Sequence, residues 1–570
     1  MTPQEYAERV SSYFDEVVQR VYERYQQLLD KNHGVDFDDL LMKTVRMFAT
    51  HPEVLKKYAE RFIHILVDEF QDTNTLQYQL VKQLAGRWRN LCVVGDPDQS
   101  IYSWRFADIR NILSFEKDFP GARTIFLEQN YRSTKRILEV ASSVIAANVQ
   151  RKEKALWTEN EDGVPVMLVR TYDEHSEANF VANEIENLVT KKVTSHRGCA
   201  VMYRVNAQSR ILEETFLRYG IPYRLIGGIR FYQRREIKDI IAYLRIIHNP
   251  NDDISLVRVI NVPARGIGER TINDLSVLAR DRNTSIFDIL RRLTSGQFEG
   301  PFRGRTLSVL TGFANFIDGL ITASREMPIV ELMDRVIKDT GYQEYLQSEE
   351  DAEERWENLM ELRTAARDFN DLPPQEALNA FLERVALVSD TDELEFSADA
   401  VTLITLHQAK GLEFPVVFIV GLEEGLLPHR KAFDDPSQME EERRLCYVGI
   451  TRAQKRLYLV TAYRRALFGG SVSNPVSRFI EDIPPQLLAK RGELSEESEL
   501  STPPCQPRPA LVLRPGDLVR HSFFGEGQVM VVNRTRGDTE VTVAFKDRRY
   551  GVKKLLLSLA PMEKIAGTEE

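Results

Sequence analysis

Short β-rich runs alternate with helical patterns from Phe62 onward, and this alternation restricts the chain to α/β architecture with parallel sheets. The first series is Ile63 to Val67, a helical pattern near Leu76 to Leu84, Leu91 to Val94 and Thr124 to Leu127. A second series holds Val166 to Val169, a helical pattern near Ala178 to Leu188, Cys199 to Tyr203 and a helix from Asn206 to Tyr219. It resumes with Val401 to Leu406, Val416 to Val420 and Arg456 to Thr461. The stretch between, roughly Gly227 to Ser397, reads as almost entirely helical, an insertion in the second α/β domain. Ahead of both series, Tyr6, Val10, Tyr13, Val17, Val21, Tyr25 and Leu28 recur at steps of three or four, which predicts one long helix with a buried stripe. Pro484 to Pro509 is rich in Pro, Ser and Glu and reads as a flexible linker. Runs at Leu518 to Arg520, Gly527 to Val532, Glu540 to Phe545 and Val552 to Leu557, separated by glycine and Asn/Asp turns, predict a small five-stranded barrel.

At 570 residues the chain exceeds one hydrophobic core and predicts several domains. Hydrophobic residues at 43% and charged residues at 28% are the balance of a soluble globular protein, and no run approaches the roughly 20 apolar residues that cross a bilayer. No membrane is therefore expected. Met1 to Arg9 shows neither a secretory signal nor a transit peptide, which makes the cytoplasm the expected location. Cys92, Cys199, Cys446 and Cys505 lie far apart without a C-x-x-C pair, so they read as reduced and structural rather than as a disulfide framework or zinc site. The net charge of −10 predicts no general affinity for polyanions; nucleic-acid binding has to come from a locally basic groove with stacking aromatics.

Ile63, Ile65 and Val67 lead into Asp68-Glu69-Phe70-Gln71-Asp72, two adjacent carboxylates at the carboxyl edge of a parallel strand, where ligands bind. An Asp-Glu pair alone is usually a solvated turn; here, in a Walker B arrangement, Asp68 can hold Mg²⁺ through its waters and Glu69 can orient and deprotonate a water for attack on a γ-phosphate. The next strand runs into Gly95-Asp96-Pro97-Asp98-Gln99-Ser100-Ile101-Tyr102-Ser103-Trp104-Arg105. Gln99 has the reach to sense a γ-phosphate, while Tyr102, Trp104 and Arg105 can stack on unpaired bases and contact backbone. The third block, Glu128-Gln129-Asn130-Tyr131-Arg132-Ser133, offers Tyr131 to an adenine and Arg132 to a γ-phosphate. In the second α/β domain, His407-Gln408-Ala409-Lys410-Gly411-Leu412-Glu413-Phe414 lies between two apolar strands. Val448-Gly449-Ile450-Thr451-Arg452-Ala453 offers Arg452 as an arginine finger.

In this order and spacing the five blocks resemble the helicase motifs of superfamily 1, and specifically the UvrD/PcrA/Rep family of bacterial DNA helicases. Asp36-Phe37-Asp38-Asp39-Leu40-Leu41 extends the resemblance toward the start of the chain. It implies two RecA-like parallel-sheet domains, the first incomplete, with ATP in the cleft between them, and 3′-to-5′ translocation on single-stranded DNA up to single/double-strand junctions. It implies Asp68 and Glu69 as the Mg²⁺ and catalytic pair, Gln99, Arg132 and Arg452 as γ-phosphate contacts, Tyr131 as the adenine stack and Glu413 as a nucleotide contact. Tyr102, Trp104, Arg105 and His407 would meet DNA. Ile260 to Arg270 looks like the family's helix-hairpin-helix, in which Gly266 and Gly268 let backbone amides approach a duplex phosphate. The expected division is a helical 1B-like remnant at 1–52, a partial first RecA-like domain at 53–127, the second RecA-like domain at 128–226 and 398–483, a helical 2B-like insertion at 227–397, a linker at 484–513 and a Tudor/SH3-like β-barrel at 514–563. The barrel resembles the module with which relatives bind RNA polymerase.

One family element is missing. A phosphate-binding loop G-x-x-x-x-G-K-[S/T] supplies the lysine and amides that hold the β- and γ-phosphates, yet the dipeptide Gly-Lys occurs nowhere among the 30 glycines. Three readings follow: a helicase whose amino-terminal segment is truncated or separately encoded, a DNA- or polymerase-binding remnant without ATPase activity, or a helicase-nuclease relative. The last lacks a nuclease-like carboxylate cluster after the motor blocks.

Overall fold

The computed structural model describes residues 2–227, 229–298, 300–349, 351–390, 399–467, 470–491, 513–521, 525–535, 538–546, 552–556 and 562–565. They fall into two compact units. One comprises Met1–Glu128, Ile145–Leu156 and Ser437–Tyr447; the other comprises Gln129–Val144, Trp157–Pro436 and Val448–Glu570.

The first unit contains a parallel pair of strands, Ile65–Val67 and Leu91–Val93, with Ile65 opposite Leu91 and Val67 opposite Val93. Helix Thr75–Ala85 connects them, started by Asn74, whose side chain accepts from the Gln77 amide while the Gln77 side chain accepts from the Asn74 amide. Parallel sheets are normally covered on both faces. Here Leu66 is 77% exposed, and Phe62, Ile63 and Val94 are also exposed.

Two expectations for this unit are corrected. Thr124 to Leu127 forms no strand: the segment is irregular, and Ile125, Phe126 and Leu127 are exposed, because the two-stranded sheet is paired with no third strand among the described residues. The amino-terminal periodicity yields two helices, Pro3–Ala7 and Tyr13–Lys31, instead of one. The break sits at Ser12, whose hydroxyl caps the second helix by accepting from the Asp15 amide, while the Ser11 and Ser12 hydroxyls donate to the Asp15 carboxylate at 3.1 and 2.8 Å. Tyr13, Val21, Tyr25 and Leu28 are exposed rather than buried.

The second unit is built on a seven-stranded parallel sheet in the order Leu488–Arg491, Val166–Thr171, Ala453–Ala462, Phe414–Ile419, Cys199–Tyr203, Val401–Thr405, Tyr223–Leu225. Its central strands are apolar on both faces, and Val201, Val417 and Ile419 are fully buried. Tyr223–Leu225 is too short to stand out as a run. Leu488–Arg491 lies inside the expected linker, after a 3-10 turn at Pro485–Leu487, but pairs in parallel with Val166 to Val169; residues 492–512 lie outside the described residues.

Between Tyr223–Leu225 and Val401–Thr405, helices follow one another from Arg235–His248 to Pro374–Asp390 around one apolar core that includes Ile240, Leu256, Phe287, Ile317, Met333 and Phe381. Helix Gly304–Ala323 is long and apolar enough to cross a membrane by length and composition. Its Leu310, Phe313, Ala314, Ile317 and Leu320 are instead buried in this core. Thr, Ser and Gly interrupt it enough to hide it from a search for continuous apolar runs. Buried ions tie the insertion to the α/β core: Arg210 donates to Glu361 of the insertion at 2.7 Å and to Glu214 at 3.0 Å. At the carboxyl end, strands Leu518–His521, Gly525–Thr535, Asp538–Phe545, Val552–Leu556 and Met562–Lys564 form an antiparallel sheet over Val519, Val529, Val541 and Val543.

Arg465 bridges two buried carboxylates, donating to Glu177 at 2.7 Å and to Glu423 at 2.7 and 2.9 Å. Burial pushes Glu177 up from an ordinary 4.5 to about 7, against the pull of Arg465. A carboxyl whose pKa is raised by folding holds more protons folded than unfolded, so stability present at low pH is lost as pH climbs through that window. Arg465→Ala is expected to destabilise the second unit by about 3–5 kcal/mol at pH 8, and by clearly less at pH 5, in urea unfolding of the chain. Equal losses at both pH values would contradict this account.

Candidate functional site

In the first unit, strand Ile65–Val67 ends at the carboxylate pair. Glu69 takes a left-handed conformation, φ 49° and ψ 40°, which turns the chain sharply and leaves both carboxylates exposed at the sheet edge. The Asp68 carboxylate accepts from the Glu69 amide at 2.8 Å. Gln71, fully buried, donates from its side-chain amide to the Glu69 carboxylate at 2.5 Å and accepts from the Asp96 amide at 3.0 Å. Asp96 in turn accepts from the Gln99 side-chain amide at 2.8 Å. One hydrogen-bonded chain therefore runs from Glu69 through Gln71 and Asp96 to Gln99. Gly95 makes room for it: a Cβ there would lie 2.5 Å from the Gln71 amide oxygen and 2.9 Å from Ile112.

The loop beyond Gln99 carries the aromatics. Tyr102 and Trp104 lie 6.3 Å apart, centroid to centroid, and the Arg105 guanidinium sits 4.6 Å over the Trp104 ring. Trp104 is 60% exposed, while burial raises the pKa of the half-buried Tyr102 phenol. Side chains that sequence reasoning missed brace this loop. Arg444 donates to the Ser100 carbonyl at 2.8 Å, and Glu441 accepts from the Ser103 amide at 3.1 Å. Lys154 pairs with Asp96 and, at 3.1 Å, with Asp98; Arg151 reaches Asp98 at 3.3 Å. Burial works against the Lys154 charge, but Tyr447, Asp96 and Asp98 outweigh it and hold its pKa above that of an ordinary lysine. Lys154 and Arg444 are far from the loop in sequence and lie in no recognisable spacing with it, so only the fold reveals them.

In the second unit, Tyr131 is 78% exposed, its hydroxyl donating to Gln129 at 2.8 Å, a ring face open to a flat ligand. Arg132 donates to Glu413 at 2.5 Å and to the Thr451 carbonyl at 3.3 Å, and Gln454 donates to the other Glu413 oxygen at 3.0 Å. Arg132 thereby holds the Glu413 carboxyl below its usual range. The structure thus brings Arg132, Glu413 and the 451–454 turn together. Arg452 is buried and donates to the Val448 carbonyl at 3.0 Å and the Leu412 carbonyl at 3.3 Å, which joins the end of helix Pro436–Ile450 to the segment carrying Glu413. His407 is half-buried just past strand Val401–Thr405. In the insertion, Gly266 has φ 78° and, like Gly268, is exposed, with open space where a Cβ would stand, while Asn261 accepts from the Arg265 and Ile267 amides and shapes the loop.

Among the described residues no group of three or more His, Cys, Asp or Glu side chains forms a metal cluster. The exposed Asp68 and Glu69 fit Mg²⁺, which keeps several waters and binds through one or two carboxylates together with substrate phosphates.

The UvrD-like helicase C-terminal domain matches residues 125–464, the UvrD/REP helicase N-terminal domain residues 1–120 and the PcrA/UvrD tudor domain residues 516–564. The chain is 45% identical over 586 residues to the ATP-dependent DNA helicase PcrA of Bacillus subtilis, with 99% of this chain and 79% of that protein covered. PcrA helicases of Staphylococcus epidermidis and Staphylococcus aureus are each 44% identical, over 583 and 590 residues, with the same 99% and 79% coverage. The chain belongs to the UvrD/PcrA family of helicases.

Gly95→Ala is expected to cost about 1–3 kcal/mol in urea unfolding, because the new methyl collides with the Gln71 amide. In a Gln71→Ala background the cost should fall, since the nearest atom it strikes is gone and only the contact with Ile112 and the Phe70 backbone remains. The same cost in both backgrounds would show that Gln71 is not what Gly95 accommodates.

Proposed function

We propose that this chain works as an ATP-dependent DNA helicase that moves 3′-to-5′ on single-stranded DNA and acts at single/double-strand junctions. The observation that carries this reading is the hydrogen-bonded chain Glu69–Gln71–Asp96–Gln99, because it puts the candidate hydrolytic carboxylate and the base-stacking loop of Tyr102 and Trp104 on one continuous polar path. Asp68 would hold Mg²⁺. Mg²⁺ supplies neutralisation of charge on the β- and γ-phosphates when it is bound with ATP. Glu69 accepts a proton from the attacking water, and Gln99 reports on the γ-phosphate to the loop. Tyr131 stacks on the adenine, Arg132 and Arg452 serve the γ-phosphate charge, and Glu413 contacts the nucleotide. For Arg132 this means exchanging Glu413 for phosphate. Tyr102, Trp104, Arg105 and His407 face the unpaired strand, and the amides around Gly266 and Gly268 take a duplex phosphate.

The Gly-Lys dipeptide of a phosphate-binding loop is absent from this sequence, and we propose that residues outside it supply the loop. The exposed apolar residues of the two-stranded sheet support this. The carboxyl-terminal sheet is proposed to bind RNA polymerase. The missing dipeptide also supports a second reading, an ATPase-inactive remnant that binds DNA or polymerase only.

DNA-stimulated ATP hydrolysis is expected from the chain mixed with the amino-terminal segment of a relative, and not from the chain alone. In that mixture Glu69→Gln should lower kcat by about 10²-fold or more and leave DNA affinity unchanged. A mixture without hydrolysis favours the remnant, and equal loss of hydrolysis and DNA binding in the variant would overturn the role of Glu69.

A further inference from the structure

Phe106 follows Arg105 at the end of the aromatic loop with φ 66° and ψ 18°. An L-residue in this left-handed region crowds its Cβ against the backbone, and a bulky side chain there is a genuine outlier. The other non-glycine residues at positive φ are His33, Glu69, Arg89, Lys192 and Asn283, all polar, so Phe106 is the one apolar case among the described residues. The turn is enforced by its hydrogen bonds: the Phe106 amide donates to the Ser103 carbonyl at 2.8 Å and the Ala107 amide to the Tyr102 carbonyl at 3.1 Å.

Core packing commonly compensates a strained aromatic residue, but Phe106 is 83% exposed. Its phenyl ring therefore adds little to folding while its backbone carries a penalty that glycine would avoid. What surrounds it identifies the ligand class. Trp104 is likewise exposed, Tyr102 stands beside it, and Arg105 lies over the Trp104 ring. Aromatic faces interleaved with a cation are the chemistry that holds unpaired nucleobases.

We infer that Phe106 is a further stacking residue for a base of an unpaired DNA strand, held in its strained conformation so that the ring projects from the loop. This rests on the reading that the loop bearing Tyr102 and Trp104 contacts DNA. The test measures oligo(dT) affinity by fluorescence anisotropy and thermal stability of the whole chain for Phe106→Gly, Phe106→Trp and Trp104→Ala. Phe106→Gly should weaken binding about tenfold, the scale of one lost stack, with an equal or higher Tm because the strain is relieved. Phe106→Trp should retain most of the affinity. If Phe106→Gly lowers Tm together with affinity, the residue is structural and the inference is overturned. Unchanged affinity in Phe106→Gly with weakened binding in Trp104→Ala overturns this inference alone; unchanged affinity in both overturns the DNA reading of the loop as well.

Discussion

The buried side-chain amide of Gln71 is the contact on which the first unit's chemistry depends. A buried primary amide must satisfy both its donor and its acceptor, and Gln71 does so by joining Glu69, two residues before it, to Asp96 in the loop after the neighbouring strand. Neither partner can shift without unsatisfying the amide. The Glu69 carboxylate, itself set by a left-handed backbone turn, is thus registered against the loop that begins at Gly95. Lys154, Arg444 and Glu441 fix the far side of that loop, so the aromatics it presents are positioned from both ends.

In the second unit the same logic works through charge. Arg465 sits between Glu177 and Glu423, and Arg210 between Glu214 and Glu361, all buried. A buried ion that loses its partner is far more costly than one that never existed, so such pairs restrict how neighbouring elements can pack. The Arg210–Glu361 pair carries this restriction from the α/β core into the helical insertion. The Arg132–Glu413 pair is of another kind: it lies nearer to solvent, where an ion pair restricts packing far less.

Much of this was legible in the sequence where periodicity and edge placement coincide. Buried strands such as Val401–Thr405 and Phe414–Ile419 are largely apolar along their length, and the acidic, glutamine and arginine blocks follow strand ends, so both fold class and candidate residues could be read. Three kinds of feature could not. The run Thr124 to Leu127 has strand composition but finds no partner to pair with among the described residues, and the stripe from Tyr13 to Leu28 has helical period but buries none of its residues. Leu488–Arg491 is a short edge strand whose composition is dominated by its neighbours' Pro and Glu. Lys154, Arg444 and Gln71 act through contacts made only in three dimensions, and Phe106 stands out through its backbone angle, which sequence does not display.

The central claim is that nucleotide state and DNA grip are linked through the Glu69–Gln71–Asp96–Gln99 chain. It is tested most directly by the ratio of oligo(dT) dissociation constants with and without Mg²⁺ and a non-hydrolysable ATP analogue, measured for the chain with the added amino-terminal segment and for its Gln71→Ala variant. The account predicts a ratio of about fivefold or more for the unsubstituted chain, falling close to one in Gln71→Ala. A ratio of the same size in the variant would contradict it.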